Sequence, residues 1–170
     1  MTEIPPNEQE AKLIDLRKSF SNPLLKLLSP VIEEILSADA INGIYSRTRK
    51  LPPELNFFDR AMHAANANYV ISAEDRDRIP REGTVIVVAN HPHGAMDGMV
   101  LGSLLASVRN DVKFIANYML SRVPELKDIF IAVDPFGGKD AAKANVAPLK
   151  EVLKFLKAGG CIATFPSGTV

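Results

Sequence analysis

Two histidines and an aspartate in residues 90–98 are the side chains best suited to chemistry. Five residues separate His91 from Asp97, and His93 lies between them. A carboxylate that holds an imidazole fixes its tautomer and stabilises the imidazolium, which makes a general base near neutral pH. The same spacing also fits a structural role, in which Asp97 caps a helix and the histidines line a turn.

Two other chemistries involve the same residues or a nearby serine. His91 and His93 form a His-x-His pair, which can ligate a metal at a strand end. The only other histidine, His63, falls in a predicted helix, so we expect no metal site. Ser167 also follows a predicted strand, but the G-x-S-x-G turn of a serine hydrolase needs glycine where Phe165 stands. A serine hydrolase is therefore not expected.

Strands and helices are predicted to alternate from about residue 67 onwards. The β-branched run at 84–89 is typical of a buried strand, and 140–158 has one apolar face and ends at a Gly-Gly pair. This alternation favours an α/β domain with a mixed, largely parallel sheet flanked by helices. The predicted strands are 68–71, 84–89, 112–116, 129–133 and 161–165, with a charged turn at 74–78 and helices at 99–108, 123–127 and 140–158.

An N-terminal helical region is predicted to precede that domain. Leucine and isoleucine recur at helical spacing between residues 24 and 45, and Pro52-Pro53 opens a further helix. We therefore divide the chain into a helical region, 1–66, and an α/β domain, 67–170. These helices are expected to pack on the domain; the alternative is that part of them rests on a bilayer surface.

The bulk composition narrows the classes of function. The 20 acidic and 20 basic residues balance, so the net charge does not indicate a nucleic-acid partner. The single cysteine, Cys161, excludes an internal disulfide and fits a reducing compartment. No apolar stretch approaches the roughly 18 to 20 residues that cross a bilayer, and the first residues lack the pattern of a secretory signal. We therefore expect any membrane contact to be peripheral.

Three polar or glycine-containing segments follow predicted strands directly, at 90–98, 134–139 and 166–169. Ligand sites in parallel α/β sheets form beyond the carboxyl ends of the strands. We therefore expect the side chains of these segments to lie at one edge of the sheet and to form the site.

Taken together, the three segments resemble the signature blocks of the glycerolipid (lysophospholipid) acyltransferases. Asn-His-Pro-x-Gly-x-x-Asp-Gly at 90–98 is similar to the first block, and more closely to that of the bacterial subgroup called hemolysin-like or ornithine-lipid-type. Asp-Pro-Phe-Gly-Gly at 134–138 falls where the family has its second block. Phe-Pro-Ser-Gly-Thr at 165–169 resembles the third block, and the similarity covers about residues 67–170.

The resemblance implies transfer of a fatty acyl group from acyl-coenzyme A or acyl carrier protein, as co-substrate, to the hydroxyl of a lyso-lipid. His91 would take the proton from that hydroxyl and Asp97 would orient His91, with no metal and no bound cofactor. It also implies a role in phospholipid biosynthesis at the cytoplasmic face of the membrane. The implied substrate-binding residues are Asn90, His93, Gly98, Phe136, Gly137, Lys139, Phe165, Pro166, Ser167, Gly168 and Thr169, of which Lys139 is a candidate phosphate contact.

The chain departs from the family pattern within the blocks. The commonest family spacing is His-x4-Asp, whereas here five residues follow His91 and three follow His93 before the aspartate. The subgroup tolerates the longer loop, so His91 is favoured as the base and His93 is the alternative. Ser167 replaces a glutamate and Val170 an arginine, and the second block lacks its usual arginine. These losses argue against lysophosphatidic acid as the acceptor.

The family continues well beyond the third block, whereas this sequence ends one residue after it. We therefore expect an amino-terminal piece whose carboxyl-terminal part is missing, with an exposed strand edge. The alternative to an active acyltransferase is a catalytically inactive lipid-binding fragment of the same family.

Overall fold

Four parallel strands form the sheet that carries the candidate site. The computed structural model describes residues 38–118, 120, 123–134 and 139–166. The strands are β1 (Val85–Val88), β2 (Val112–Asn117), β3 (Phe130–Val133) and β4 (Cys161–Thr164), in the spatial order β1-β4-β2-β3. All pairings among these strands are parallel. The predicted α/β class with a largely parallel sheet is therefore confirmed.

Six α-helices and a 3-10 turn accompany the strands in the described part of the chain. α-Helices precede β1 and connect β1 to β2 and β3 to β4, whereas the described part of the β2–β3 connection contains the 3-10 turn. The α-helices are α1 (Ala38–Lys50), α2 (Phe57–Ala64), α3 (Ala73–Asp77), α4 (Ala95–Ala106), α5 (Lys139–Ala144) and α6 (Val146–Lys157), and the 3-10 turn is Pro124–Leu126. None of these helices combines the length and apolar character needed to cross a bilayer.

The sheet has one apolar core on each face. On the first face, Phe114 and Ala163 of the sheet contribute to a cluster with residues of α1, α2 and α4. On the second face, Ile131 and Ile162 pack against Val152 of α6. The first cluster contains Tyr45, Phe58, Leu105, Phe114, Val123, Leu126 and Ala163. Because Tyr45 lies on α1 and Phe58 on α2, these two helices are integral to this core.

Strand β1 lies at the edge of the described sheet, and its side chains divide between the faces. Val87 packs against the first core, whereas Ile86, aligned with Ile162 of β4, is 58% exposed and Val88 is 63% exposed. Successive side chains of a strand point to opposite faces, so these two exposed side chains belong to the second face. In the described part of the chain, α6 therefore covers the second face next to β3 and β4 but leaves it exposed at β1.

Helix α4 is held close to α2, and this contact positions the residues at the start of α4. A Cβ on Gly102 would lie 2.3 Å from the ring of Phe58, so only glycine permits this approach. Beside it, the Ser103 hydroxyl donates a hydrogen bond of 2.6 Å to Asp59. The two helices therefore pack as a pair on the first face of the sheet.

Two local predictions near residue 70 were wrong. The predicted strand at 68–71 does not form; Val70 is 99% exposed, so this segment buries no alternating apolar face. The predicted charged turn at 74–78 instead contains α3, because the Ser72 side chain accepts a hydrogen bond of 3.0 Å from the Asp75 backbone N–H and caps the helix.

The boundaries of two predicted helices, one on each face of the sheet, also differ from the observed ones. The helix predicted at 99–108 already begins at Ala95, so Asp97 lies inside its first turn. The helix predicted at 140–158 is two helices, α5 and α6, which meet at Asn145. Hydrophobic periodicity does not reveal this break, whereas Pro148, in the first turn of α6, is a local signal for a helix boundary because it has no N–H to bond to the preceding turn.

Arg109 connects the segments that precede three of the four strands. Its side chain, 4% exposed as a residue, donates hydrogen bonds to the carbonyl oxygens of Pro80, Gly83 and Gly159 at 2.9, 2.9 and 3.3 Å. Its Nε and Nη2 atoms also bind the Asp111 carboxylate at 2.7 and 2.8 Å. The hydrogen bond from Arg109 lowers the pKa of the Asp111 carboxyl. One guanidinium therefore ties together the backbone before β1, β2 and β4.

Tyr45 makes a comparable link between α1 and the 3-10 turn. Its buried hydroxyl donates a hydrogen bond of 2.9 Å to Glu125. Burial, with the hydrogen bond to Glu125, raises the pKa of Tyr45 to about 12. The neutral phenol is therefore the form that the fold stabilises.

The Arg109 network predicts a large loss of stability for Arg109→Met. Three carbonyl oxygens and one carboxylate lose their donor, so the free energy of unfolding should fall by about 3 kcal/mol in urea denaturation. Arg81→Met is the matched control, because Arg81 forms an exposed ion pair with Asp77 at 3.5 Å and should change stability by less than about 0.5 kcal/mol. Equal losses in the two variants would contradict the role of Arg109.

The Tyr45 link predicts a distinct alkaline transition. Because the folded pKa exceeds the unfolded value of about 10, its contribution is complete below pH 10 and is lost as the pH rises to about 12. Over this interval the free energy of unfolding should fall more steeply for the wild type than for Tyr45→Phe, by on the order of 2 kcal/mol. Parallel pH profiles for the two proteins would contradict the assignment.

Candidate active site

The pairing of β1 with β4 brings the first and third motif segments together. Val88 is aligned with Thr164, and the pairing extends past β1 because Ala89 N–H donates to Thr164 O at 3.2 Å. His91 and Phe165 follow these positions, and their rings stack with centroids 4.2 Å apart and planes inclined by 23°. Two residues 74 positions apart in sequence are therefore in face-to-face contact at the carboxyl ends of the strands, here called the carboxyl edge.

Asp134, the first residue of the second motif segment, follows β3 at the same carboxyl edge, but β3 is at the other end of the strand order from β1. Two strands, β4 and β2, lie between β1 and β3. Strand spacing then separates the end of β3 from the end of β1 by about 14 Å. Asp134 therefore lies at the same edge of the sheet as His91, as expected, but it is not a neighbour of His91. The end of β2 lies between them, with the Tyr118 side chain 48% exposed; no motif follows β2, so sequence analysis missed this position.

Gly94 sets the direction in which α4 leaves the loop after β1. Its φ of 56° lies in the left-handed region that favours glycine. The helix begins at Ala95, which places Asp97 in the first turn with its side chain folded back over the loop. There Asp97 Oδ2 accepts a hydrogen bond of 2.8 Å from the backbone N–H of His93. The helix-capping role considered for Asp97 is not found, because Gly94 is the N-cap and no side chain caps the helix; Asp97 instead braces the loop through the His93 N–H.

The same carboxylate faces the imidazole of His91. His91 Nδ1 lies 3.4 Å from Asp97 Oδ2, and both side chains are 21% exposed. The two atoms are not aligned for a hydrogen bond, and within the described residues the buried Nδ1 has no other hydrogen-bond partner. Catalytic hydrogen bonds are often long before substrate binds and shorten in the reactive complex. A small rotation of either side chain would complete this one.

His93 approaches the other oxygen of Asp97. Its Nδ1 lies 3.4 Å from Oδ1, but the His93 side chain is 75% exposed, against 21% for His91. One carboxylate is thus shared by two imidazoles and a backbone N–H. The two histidines differ in surroundings: His91 is enclosed by a ring and a carboxylate, whereas His93 is largely in solvent.

The remaining predicted site residues divide into those that are described and those that are not. Asn90 and Pro166 are exposed at the carboxyl edge, and Gly98 lies in α4 with no heavy atom within 4 Å of the position its Cβ would occupy. Lys139 begins α5, but its side chain lies outside the described residues. The predictions for Phe136, Gly137, Ser167, Gly168 and Thr169 also lie outside the described residues.

The third histidine is on a different part of the molecule. His63 lies on α2 and, with Asp59 and Ser103, lines a cleft of about 180 Å³. Across the described residues, no group of three or more His, Cys, Asp or Glu side chains is arranged to hold a metal ion. A larger cleft of about 430 Å³ includes Val112 and Ile129, at the edge opposite the candidate site.

Comparison with known proteins supports a lipid acyltransferase relationship. A family model described as Acyltransferase matches residues 16–170. Two curated proteins named Lyso-glycine lipid O-acyltransferase also match, from Bacteroides thetaiotaomicron (25% identical over 113 residues, 66% of this chain and 40% of the relative) and from Phocaeicola vulgatus (24% over 109 residues, 64% and 38%). The matched part therefore spans about two fifths of each relative's length. The search of solved structures found no match.

Asn145 positions the end of β3 and was not identified from the sequence. Its side-chain Oδ1 accepts a hydrogen bond of 2.8 Å from Asp134 N–H, and its Nδ2 donates one of 2.8 Å to Asp134 O. This amide satisfies both backbone groups of Asp134, as a neighbouring strand would. The start of α6 is thereby attached to Asp134, at the carboxyl end of β3.

This attachment predicts a local effect for Asn145→Ala. The substitution leaves the partly buried Asp134 N–H and C=O without their partners, so stability should fall by about 2 kcal/mol and the Asp134 amide should exchange hydrogen faster than amides in β4. Asn110→Ala, at an exposed position, is the control. If the exchange rate of the Asp134 amide is the same in both variants, Asn145 does not anchor β3.

Proposed function

Because the chain belongs to the acyltransferase family whose model matches residues 16–170, we propose that the protein transfers a fatty acyl group to the hydroxyl of a lyso-lipid. The observation that carries this proposal is the position of His91, enclosed at the carboxyl edge between the Phe165 ring and the Asp97 carboxylate. An imidazole held in this way is suited to remove a proton from a hydroxyl near neutral pH.

His91 acts as the general base in the proposed reaction. Asp97 faces Nδ1, which leaves Nε2 to accept the proton of the acceptor hydroxyl. The hydroxyl oxygen forms a bond to the thioester carbonyl carbon of acyl-coenzyme A or acyl carrier protein, and the carbon–sulfur bond breaks. The departing thiolate takes the proton back from the imidazolium. No covalent acyl-enzyme forms, and Asp97 stabilises the imidazolium between the two proton transfers.

The acceptor is proposed to be a lyso-lipid whose head group need not carry a phosphate. The two matching relatives are named for a lyso-glycine lipid. In this chain Ser167 and Val170 stand where the family's third block carries glutamate and arginine, which removes one cationic partner for a phosphate. Gly98, with open space beside it, and the third motif segment are proposed to line the acceptor site.

The protein is proposed to act as a peripheral protein at the cytoplasmic face of a membrane, where both substrates meet. A lyso-lipid is embedded in the bilayer, whereas acyl-coenzyme A and acyl carrier protein are cytoplasmic. A single cysteine, buried in β4, fits that compartment.

The decisive assay measures transfer of a labelled acyl group from both donors to a panel of lyso-lipids, with a lyso-glycine lipid and lysophosphatidic acid included. The His91→Ala chain should lose roughly 10³-fold or more in rate, because the general base is removed. Asp97→Asn should lose roughly 10²-fold or more, because the amide does not stabilise the imidazolium. His93→Ala tests the alternative base and should lose far less than His91→Ala, because the His93 side chain is 75% exposed. His63→Ala, on α2 away from the carboxyl edge, is the control and should keep a rate near that of the wild type.

Each other outcome has a defined meaning. If His93→Ala is inactive and His91→Ala is active, the base is His93. If His91→Ala and His93→Ala both keep the wild-type rate, the proposed base is wrong. If the folded wild type binds vesicles containing lyso-lipid but transfers no acyl group, the chain is the alternative, a catalytically inactive lipid-binding fragment.

A further inference from the structure

Phe165 lies against His91 rather than in open space at the carboxyl edge. The two ring planes are inclined by only 23° and stack face to face, with centroids 4.2 Å apart, and Phe165 is also packed against the first core. The Phe165 ring therefore contacts both the apolar core and the imidazole of His91. This contact occupies surface that a substrate-binding role alone would leave open to the ligand.

The stack restricts a motion of His91 that Asp97 does not restrict. Asp97 approaches the imidazole at its edge, 3.4 Å from Nδ1, and the atoms are not aligned for a hydrogen bond. A contact at Nδ1 alone leaves the imidazole free to tilt, because the ring plane can rotate about an axis through Nδ1 while the distance to Asp97 stays the same. A second ring lying flat on the imidazole face blocks this rotation, because the turning ring would collide with it.

The stacking ring is itself immobilised by the fold. Phe165 follows Thr164 directly, and Thr164 O accepts a hydrogen bond of 3.2 Å from Ala89 N–H. The backbone hydrogen bond thus joins the two segments that carry the rings, one residue before Phe165 and two before His91. The relative position of the rings is therefore determined by the register of β1 and β4.

From this geometry we infer that Phe165 is a positioning residue, which holds the imidazole plane of His91 so that Nε2 points at the acceptor hydroxyl. This role rests on the proposed acyl transfer, and it differs from the substrate contact that the family resemblance implies for the same residue.

Two substitutions at Phe165 distinguish the effect of its aromatic ring from the effect of its apolar volume. Phe165→Leu keeps a large apolar side chain against the core but removes the ring, so kcat should fall roughly 10- to 100-fold while KM stays close to the wild-type value. Phe165→Tyr keeps the ring and should restore most of kcat. Phe57→Leu, a ring lost from the same core without contact to His91, is the control for general destabilisation.

A second measurement does not depend on activity. The stacked ring shields the carbon-bound protons of His91, so their NMR resonances should lie upfield and should move downfield in Phe165→Leu but not in Phe57→Leu. The chain has three histidines, and comparison with His91→Ala identifies the resonance. An unchanged resonance in Phe165→Leu would show that the stack does not exist in solution and would overturn the inference.

The kinetic outcomes distinguish positioning from substrate contact. A raised KM for the acceptor with unchanged kcat in Phe165→Leu would make Phe165 a substrate contact and would contradict positioning. Unchanged kinetics with a shifted resonance would show that the stack exists but is not needed. A wild-type chain without transfer activity would contradict the proposed function and with it the catalytic role of the stack, whereas the resonance would still report whether the ring is held.

Discussion

The guanidinium of Arg109 holds the backbone before β1, β2 and β4 at the edge opposite the candidate site. Because one rigid group binds Gly83 and Gly159, it limits how far β1 and β4 can slide past each other. The offset of these strands in turn sets where His91 and Phe165 emerge. The Arg109 network at the amino ends and the ring contact at the carboxyl ends thus belong to the same pair of strands, and the network is strong because its donor is charged.

Asp97 combines two tasks that the sequence presented as alternatives. Its Oδ2 braces the loop by accepting the His93 backbone N–H, and the same carboxylate faces both imidazoles. Because the donor is a backbone N–H, this brace keeps the carboxylate in place without any contribution from the imidazole rings. The structural and the catalytic interpretations of Asp97 are therefore compatible, since a carboxylate oxygen can accept more than one hydrogen bond.

The carboxyl edge is wider than the three motifs suggest. Strands β4 and β2 separate His91 from Asp134, and Asn145 anchors Asp134 through both of its backbone groups. In the proposed reaction His91, Asp97 and Phe165 lie together around the proton transfer, while Asp134 at the end of β3 is about 14 Å away by strand spacing. Tyr118, at the end of β2, lies between these regions.

The sequence by itself determined the α/β class, the four strands of the sheet and the residues that follow them, because β-branched runs and helical periodicity are local signals. It also placed His91 and Asp97 in one short loop. It misassigned 68–71 and 74–78, where the Ser72 cap and the exposure of Val70 override short patterns. Only the tertiary structure decided the strand order, the contact of Asn145 with Asp134 and the stack of Phe165 on His91. Each of these depends on hydrogen bonds or contacts between residues distant in sequence, which no local pattern encodes.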